Sequence, residues 1–295
     1  MPRRLFEIHM HSNFSDGEFS PTELTGLARA NGVEILSLTD HDTFAGIPEF
    51  LQSAREQEIT AFPGIEITVA YRDFNLHLLC YFRDLESIQR DLRDRVERMK
   101  AQREERMHEL IERVNGVVPD RHRGTITFEN VQRASEGVLA RPHLAAEMVR
   151  LGIVRDVRDA FDRYLVQYNV EKKNLTAFEA LEMARRSNGV PVIAHPGERT
   201  YSLVNPKKGR LPEHVPEMVE ELKAHGLMGL ECVYPYHEKT GQVDFFKSIA
   251  RSFDLIVTGS RDFHGASTNQ KPSLLGTTRM EPDWLDAFNQ VWGVN

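Results

Sequence analysis

The chain has little cysteine, no long apolar run and no excess of basic charge, and each shortage removes a class of function. Its 295 residues include two cysteines, Cys80 and Cys232, which are far apart and form no CxxC pair. A disulfide framework is therefore not expected. Cys80 lies inside Leu76-His77-Leu78-Leu79-Cys80-Tyr81-Phe82 and reads as a small buried hydrophobe rather than a redox group. No apolar stretch is long enough to cross a bilayer. The segment Met1-Pro2-Arg3-Arg4-Leu5-Phe6-Glu7 lacks the apolar run of a signal peptide, so a cytoplasmic location without membrane partners is the expectation. The net charge is −7 with neutral histidines, which argues against a broad basic surface for long duplex nucleic acid. A small anionic substrate remains compatible, because bound divalent cations reverse the local sign of a site. There is no fixed-period repeat and no low-complexity tract. No feature of the sequence specifies an oligomeric state.

What is present is an ordinary globular composition and a length that suits one large α/β domain, or one such domain with an insertion. The first part alternates strand and helix. Leu5–His11 reads as a strand, and Ser20-Pro21-Thr22-Glu23 as a helix start with a Ser cap, Pro at the first helical position and then an acid. That helix stops near Asn31-Gly32. Val33–Thr39 follows as a strand, Ile47–Gln57 as a helix, then Ile59–Thr68 and Asn75–Phe82 as strands. This repeat favours a mostly parallel sheet or barrel. From Leu85 to about Val114 a charged helical period takes over, with acids and bases interspersed, as on a solvated amphipathic helix rather than a nucleic-acid arm. Helical stretches at Thr127–Ser135, Arg141–Leu151 and Val157–Tyr164 extend it. Residues 99–173 thus read as an all-helical insertion, between parts 1–98 and 174–295 of the main domain. Alternation resumes with helix Ala177–Ser187, strand Pro191–His195, helix Pro216–His225, strand Gly229–Val233, helix Val243–Phe253 and strand Leu255–Gly259.

Chemistry-bearing residues gather where the apolar runs end. His9 and His11 are two apart, so on a strand they face the same way and form a chelating pair. Asp16 follows in a Ser15-Asp16-Gly17 turn. Asp40-His41-Asp42 begins where a strand stops, although Asp42 could equally cap a helix. Glu66 interrupts the apolar Phe62-Pro63-Gly64-Ile65-Glu66-Ile67, and a buried carboxylate there needs a cation or strong hydrogen bonds. His77 could be a metal ligand or a core histidine bonded to backbone. His195 precedes Pro196-Gly197, and Asp262 and His264 alternate after Leu255–Gly259. Strands side by side would bring these groups together, a nest of imidazoles and carboxylates suited to a cluster of divalent metals.

In combination these motifs resemble the PHP family, named for polymerase and histidinol phosphatase. They are His9-x-His11, Ser15-Asp16-Gly17, Asp40-His41-Asp42, Gly64-Ile65-Glu66, His77, Ala194-His195-Pro196 and Asp262-Phe263-His264-Gly265. The resemblance implies an α/β fold, a distorted (β/α)7 barrel of the PHP type with an all-helical insertion domain. It implies a site for two or three divalent ions (Mn, Fe or Zn) at the C-terminal strand ends. His9, His11, Glu66, His195 and Asp262 would serve one metal region, and Asp16, His41 and His264 a second metal. Glu66 would bridge to a third, completed by His77 with His9 or His11 nearby. The insertion, with Arg141-Pro142-His143, is similar to that of the subgroup acting on nucleotides: 3′,5′-nucleotide bisphosphate phosphatases and 5′→3′ exoribonucleases of short 5′-phosphorylated RNA. Where the family commonly has Gly-Ser before Asp-Phe-His, this chain has Ser260-Arg261.

The expected activity is metal-dependent hydrolysis of a phosphate ester. Metals lower the pKa of water from ~16 toward ~7 and neutralise phosphoryl oxygens. Asp262 would orient the attacking water, and His195 or His237 would protonate the leaving oxygen. Arg141, His143, Arg199 and Arg261 are candidate phosphate ligands, because a guanidinium fork matches phosphate geometry. An insertion covering the mouth as a substrate cap would restrict the site to nucleotides or short RNA ends. Three other readings compete: a histidinol-phosphate phosphatase, a non-catalytic PHP binding module, and amide hydrolysis on a related metal barrel.

Overall fold

The computed structural model describes residues 4–133, 139, 141–170, 174–197, 200–265, 270–280 and 282–294. It divides into two compact units, one made of Met1–Val96 and Asn174–Asn295, the other of Glu97–Lys173.

The first unit is built on β1 (Phe6–Glu7), α1 (Pro21–Ala30), β2 (Ile35–Leu38), α2 (Ile47–Glu56), β3 (Thr60–Tyr71) and β4 (Phe74–Tyr81). α1 begins as its sequence demands: the Ser20 side chain accepts from the Glu23 amide while Glu23 reaches back to the Ser20 amide, a reciprocal cap. The second unit takes up most of α3 (Arg90–Asn115), then α4 (Phe128–Arg133), α5 (Arg141–Arg150) and α6 (Val157–Ala160), which continues as a π-helical turn over Phe161–Leu165. Its own apolar core runs from Met107 and Leu110 through Leu144 and Met148 to Leu165. Residues 134–138, which include the end of the expected Thr127–Ser135 helix, lie outside the described set. The chain then returns to the first unit through β5 (Leu175–Thr176), α7 (Ala177–Arg186), β6 (Val190–Ile193), α8 (Val215–Ala224), β7 (Gly229–Val233), α9 (Pro235–Thr240), α10 (Val243–Ser252), β8 (Ile256–Gly259) and α11 (Trp284–Trp292).

The strands form one eight-stranded sheet in the order β1-β2-β3-β4-β6-β7-β8, with the short β5 beside β3. The pairs β1–β2, β2–β3, β6–β7 and β7–β8 are parallel, whereas β4 is antiparallel to both β3 and β6. Just past β1 and β8, the terminal strands of that order, Met10 and Phe263 form an isolated parallel bridge. Beneath the strand ends, β1 (Phe6), β2 (Ile35), β3 (Phe62), β4 (Tyr81), β6 (Val192) and β7 (Val233) share one apolar cluster with Trp284, Phe288 and Trp292 of α11. Those three aromatics recur with a spacing of four, one helical face, and each is buried.

β3 and β4 make the departure that matters for function. Glu66 and His77 lie within these strands rather than at strand mouths, because the pair runs on as a hairpin to Tyr71–Phe74, turning at Arg72, whose φ is +51°. The register sets Glu66 opposite Leu79 and Thr68 opposite His77.

Candidate metal centre

Local backbone places each donor. His9 and His11 follow β1, and His11 donates its amide to Phe263 O at 2.8 Å. His41 follows β2 and forms an isolated parallel bridge with Glu66. Gly17 supplies the close approach behind Asp16: a Cβ there would meet the His11 carbonyl oxygen at 2.0 Å. His195 and Asp262 hold positive φ values of +28° and +51°, sparsely populated for residues with a side chain, at the turns out of β6 and β8.

These placements converge on Glu66, which is fully buried. Its Oε2 lies 3.0 Å from His41 Nδ1, 3.3 Å from His11 Nε2 and 3.4 Å from His9 Nε2. Its Oε1 lies 2.9 Å from His77 Nδ1 and 3.2 Å from His195 Nε2. Asp262 Oδ1 sits 3.2 Å from His9 Nε2, 3.1 Å from His11 Nε2 and 3.4 Å from His264 Nδ1. Asp16 completes the far side, 3.2 Å from His264 Nε2, 3.7 Å from His41 Nε2 and 3.8 Å from His11 Nδ1.

Among the described residues, three donor sets have all their ligand atoms within 4.8 Å of one another: His11, Asp16, His41 and His264; His9, His11, Glu66 and Asp262; and His41, Glu66 and His77. They share His11, His41 and Glu66. His77 thus joins His41 rather than His9 or His11, and His195 reaches Glu66 without belonging to any of the three sets.

The donor chemistry fits divalent cations. His9 Nε2, both ring nitrogens of His11, Glu66 Oε2, His77 Nδ1 and His195 Nδ1 are buried and lack a hydrogen bond of proper geometry. Each such atom costs roughly 1–3 kcal/mol if nothing binds it. Protonation is divided as well. Burial, with His264 and His41 alongside, lowers the His11 pKa to about 3. Burial also opposes charge on His41 and His264, but Glu66 and Asp16 outweigh it at His41 and raise its pKa to about 10. At His264, Asp262 and Asp16 outweigh it and raise the pKa to about 9. Burial would raise Glu66 and Asp262, yet the surrounding imidazoles hold both well below the ordinary carboxylate range.

Residues behind the centre carry its geometry, and the sequence reading did not single them out. Glu231, buried in β7, accepts from His9 Nδ1 at 3.0 Å and from the His195 amide at 2.9 Å. Glu7, buried in β1, accepts from Ser260 Oγ, from the Arg261 amide at 2.9 Å and from the Gly276 amide at 3.0 Å. Ser260 Oγ in turn accepts from the amides of Ile8 and His9 at 3.0 and 2.8 Å. Tyr234 donates its hydroxyl to Asp262 Oδ2 at 3.2 Å. The Tyr201 ring stacks on His77 with centroids 4.0 Å apart.

Other expected residues are placed differently. His237 is fully buried: its Nε2 accepts from the Gly197 amide at 2.9 Å and its Nδ1 faces Cys232 O at 3.0 Å. In that tautomer Nε2 has no proton to give, so His237 supports the turn after His195 rather than serving as an acid. Arg261 is committed to Glu238 Oε2 at 2.8 Å and Thr277 O at 3.1 Å, not to the centre. A glycine, Gly259, precedes the Ser260-Arg261 pair. Gly259 is required there, since a Cβ would stand 2.5 Å from Val233 Cβ. Asp42 caps no helix: its Oδ1 accepts from the Thr68 amide at 2.8 Å, and α2 begins after Gly46. Asp40 binds Ser12 and Ser15 and supports the loop that carries Asp16. Arg141 and His143 lie on α5 of the second unit, where the Arg141 guanidinium sits over the Phe161 ring at 5.4 Å and Nη1 is 3.4 Å from Leu165 O. Arg199 falls outside the described residues.

Comparison with known proteins places the chain in a family. A PHP domain model matches residues 7–184. A 5′-3′ exoribonuclease of Haemophilus influenzae is 29% identical over 263 residues, covering 88% of this chain and 89% of that protein. A 3′,5′-nucleoside bisphosphate phosphatase of Chromobacterium violaceum is 26% identical over 272 residues, covering 88% and 86%. Among solved structures, a protein from Bifidobacterium adolescentis described as a metal-dependent phosphoesterase superposes with a TM-score of 0.76 at 26% identity, covering 98% of this chain and 97% of that one.

Proposed function

The chain belongs to the PHP family of metal-dependent phosphoesterases, and we propose that it acts on nucleotides. In this reading it removes the 3′-phosphate of 3′,5′-bisphosphonucleotides, cleaves short 5′-phosphorylated RNA stepwise from its 5′ end, or does both. The metal-dependent chemistry is supported most by the sharing of Glu66, His11 and His41 among three donor sets, the arrangement adjacent cations need, and the nucleotide substrate by the likeness to an exoribonuclease and a bisphosphate phosphatase. The sheet is read as the family's distorted barrel.

Divalent ions held there would lower the pKa of a water molecule toward ~7 and neutralise phosphoryl oxygens. Asp262 presents one oxygen to His9 and His11 while Tyr234 holds the other. A carboxylate fixed in this way can orient an attacking water and accept its proton. His195 is the assigned proton donor to the leaving oxygen. It stands outside the three donor sets, and although burial opposes its charge, Glu66 raises its pKa. The His195 amide bond to Glu231 and the His237 bond to Gly197 fix the turn that aims it. Arg141 and His143 of the helical unit, which we read as a substrate cap, are assigned to substrate phosphate on side-chain chemistry alone.

The test is turnover of a bisphosphonucleotide, a nucleoside monophosphate, a short 5′-phosphorylated RNA and histidinol phosphate, with and without added manganese. The bisphosphonucleotide or the RNA should be preferred. Chelator should remove activity, and His11→Ala or Asp262→Asn should abolish it while the circular dichroism spectrum stays native. Full turnover by metal-free protein would reject the mechanism, and a preference for histidinol phosphate would reject the substrate class.

A further inference from the structure

An opening in the first unit is separate from the donor cluster, and one of its lining side chains packs on a donor. It is a cavity of ≈ 1090 Å³. Tyr201 lines it and stacks on His77, and Gly197, which follows His195-Pro196, lines it as well. Phe74 lines it from the start of β4, three residues before His77 on the same strand. The cavity thus borders the centre through Tyr201, which stacks on His77, and Gly197, two residues after His195.

Its chemistry differs from that of the centre. Lys207, Lys208 and Arg210 come from a tight hairpin in which Asn205 and Arg210 pair and Gly209 takes a left-handed φ of +73°. Lys207 and Lys208 are exposed, and among the described residues neither is paired with a carboxylate. Arg210 lies over the Phe74 ring, 3.9 Å from its centroid, and its buried Nε has no hydrogen-bond partner. Against these three cations, Asp73 is the one carboxylate among the described residues of the lining. On a chain of net charge −7 this is a local reversal of sign. Aromatic faces beside cations in excess of carboxylates are the combination that takes a nucleobase and a phosphate together. The volume lies at or above the upper end of pockets for drug-sized ligands, roughly 300–1,000 Å³, so a whole nucleotide fits.

We infer that this cavity binds the remote part of the substrate: a base against the aromatic wall and a second phosphate on Lys207, Lys208 and Arg210, while the scissile phosphate occupies the metal centre. The inference rests on the phosphoesterase reading and deepens it. It assigns the protein to substrates with two phosphate groups, one to cleave and one to hold. Both a bisphosphonucleotide and the end of a short RNA carry that chemistry.

Two measurements test it. The first is calorimetric titration of metal-free protein with adenosine 3′,5′-bisphosphate and, separately, with a 5′-phosphorylated RNA dinucleotide. The double variant Lys207→Ala/Lys208→Ala should weaken at least one of the two by about tenfold, and the ligand that loses more identifies the source. The second is turnover by the manganese-loaded enzyme, where the same variant should raise KM for that ligand by about tenfold and leave kcat unchanged. Its kcat/KM for phenyl phosphate, which has neither base nor second phosphate, should stay at the wild-type value. Arg210→Met should repeat the pattern. Unchanged affinity for both ligands in both variants overturns the inference, as does a parallel loss with phenyl phosphate. If loaded wild-type protein hydrolyses no phosphate ester, the phosphoesterase reading fails, while the metal-free titration still decides the cavity.

Discussion

Replacing Glu231 by glutamine tests whether buried groups behind the centre set its geometry. The carboxylate accepts two hydrogen bonds in a fully buried place, one from His9 Nδ1 and one from the His195 amide. With Nδ1 as donor, the lone pair of His9 Nε2 points toward Glu66 and Asp262, where a cation would lie. Glutamine keeps the shape but offers one oxygen and one NH2 group. With the NH2 toward the His195 amide two donors meet; with it toward His9 the ring must carry its proton on Nε2, which removes the lone pair a cation needs. A buried donor left unpaired costs roughly 1–3 kcal/mol, so urea unfolding of metal-free protein should show a loss of about that size. Loss of a carboxylate that orients a ligating histidine typically weakens metal affinity by about 10–100-fold. Competition against a chromogenic chelator, with manganese or zinc, should therefore show a drop in that range. Glu231→Ala should bind no better and lose more stability, since both donors are then unpaired. Wild-type metal affinity in Glu231→Gln, together with an unchanged unfolding midpoint, would refute the claim that this side chain orients His9 and the His195 turn.

Three further outcomes are expected. Metal affinity should rise with pH between about 6 and 9: His41, raised to about 10, and His264, raised to about 9, hold protons below those values in the metal-free protein, and a cation must displace them. A pH-independent affinity, or no proton release in calorimetry run in two buffers, would contradict that assignment. Tyr234→Phe removes the hydroxyl that holds Asp262 Oδ2 at 3.2 Å, and should lower kcat by about tenfold with little change in KM; a change in KM alone would place the tyrosine in binding instead. Phe288→Ala empties a fully buried position where its ring meets Phe62, Trp284, Trp292 and Tyr81, and should cost about 3–5 kcal/mol in unfolding free energy. A loss under about 1 kcal/mol would mean that α11 is not part of the core.

The donors were legible because imidazole and carboxylate in apolar runs have few structural explanations, and their spacing set their faces. The same argument that marked Glu66 applies to Glu7 in Leu5-Phe6-Glu7-Ile8 and to Glu231 in Gly229-Leu230-Glu231-Cys232-Val233. Each is an acid inside a buried strand, and each is fully hydrogen-bonded rather than facing the cluster. What separates Glu66 from the other two is depth along the strand, and depth depends on how far each strand runs. The β3–β4 hairpin outruns its neighbours, and no local pattern in Ile59–Thr68 announces the extension to Tyr71. His237 is ambiguous in sequence for a related reason: an imidazole bonded twice to backbone has the same sequence as one that gives up a proton. The role of α11 is not visible locally, because it lies in Trp284, Phe288 and Trp292 packing beneath six strands, a contact set by topology. Lys207 and Lys208 carried no motif, and only the fold sets their hairpin beside the turn that follows His195.

The strained turns and the buried acids are connected. His195 and Asp262 are non-glycine residues at positive φ, a conformation that costs of order 1–3 kcal/mol each and persists only where surrounding bonds over-determine it. At His195 those bonds are the Glu231 oxygen on its amide and the His237 ring two residues on. At Asp262 they come from Glu7, which receives the amide of Arg261 just before it, and from Ser260, whose hydroxyl joins the amides of Ile8 and His9 to the same carboxylate. Ser260 thereby uses its donor and both acceptor sites. Glu7 therefore ties the end of β8 to the residues that lead into His9 and His11. Because burial makes an unsatisfied carboxylate expensive, the network holds only in the one arrangement that satisfies it. That arrangement fixes the backbone on both sides of the donor sets, so the fold itself positions the side chains that converge on Glu66.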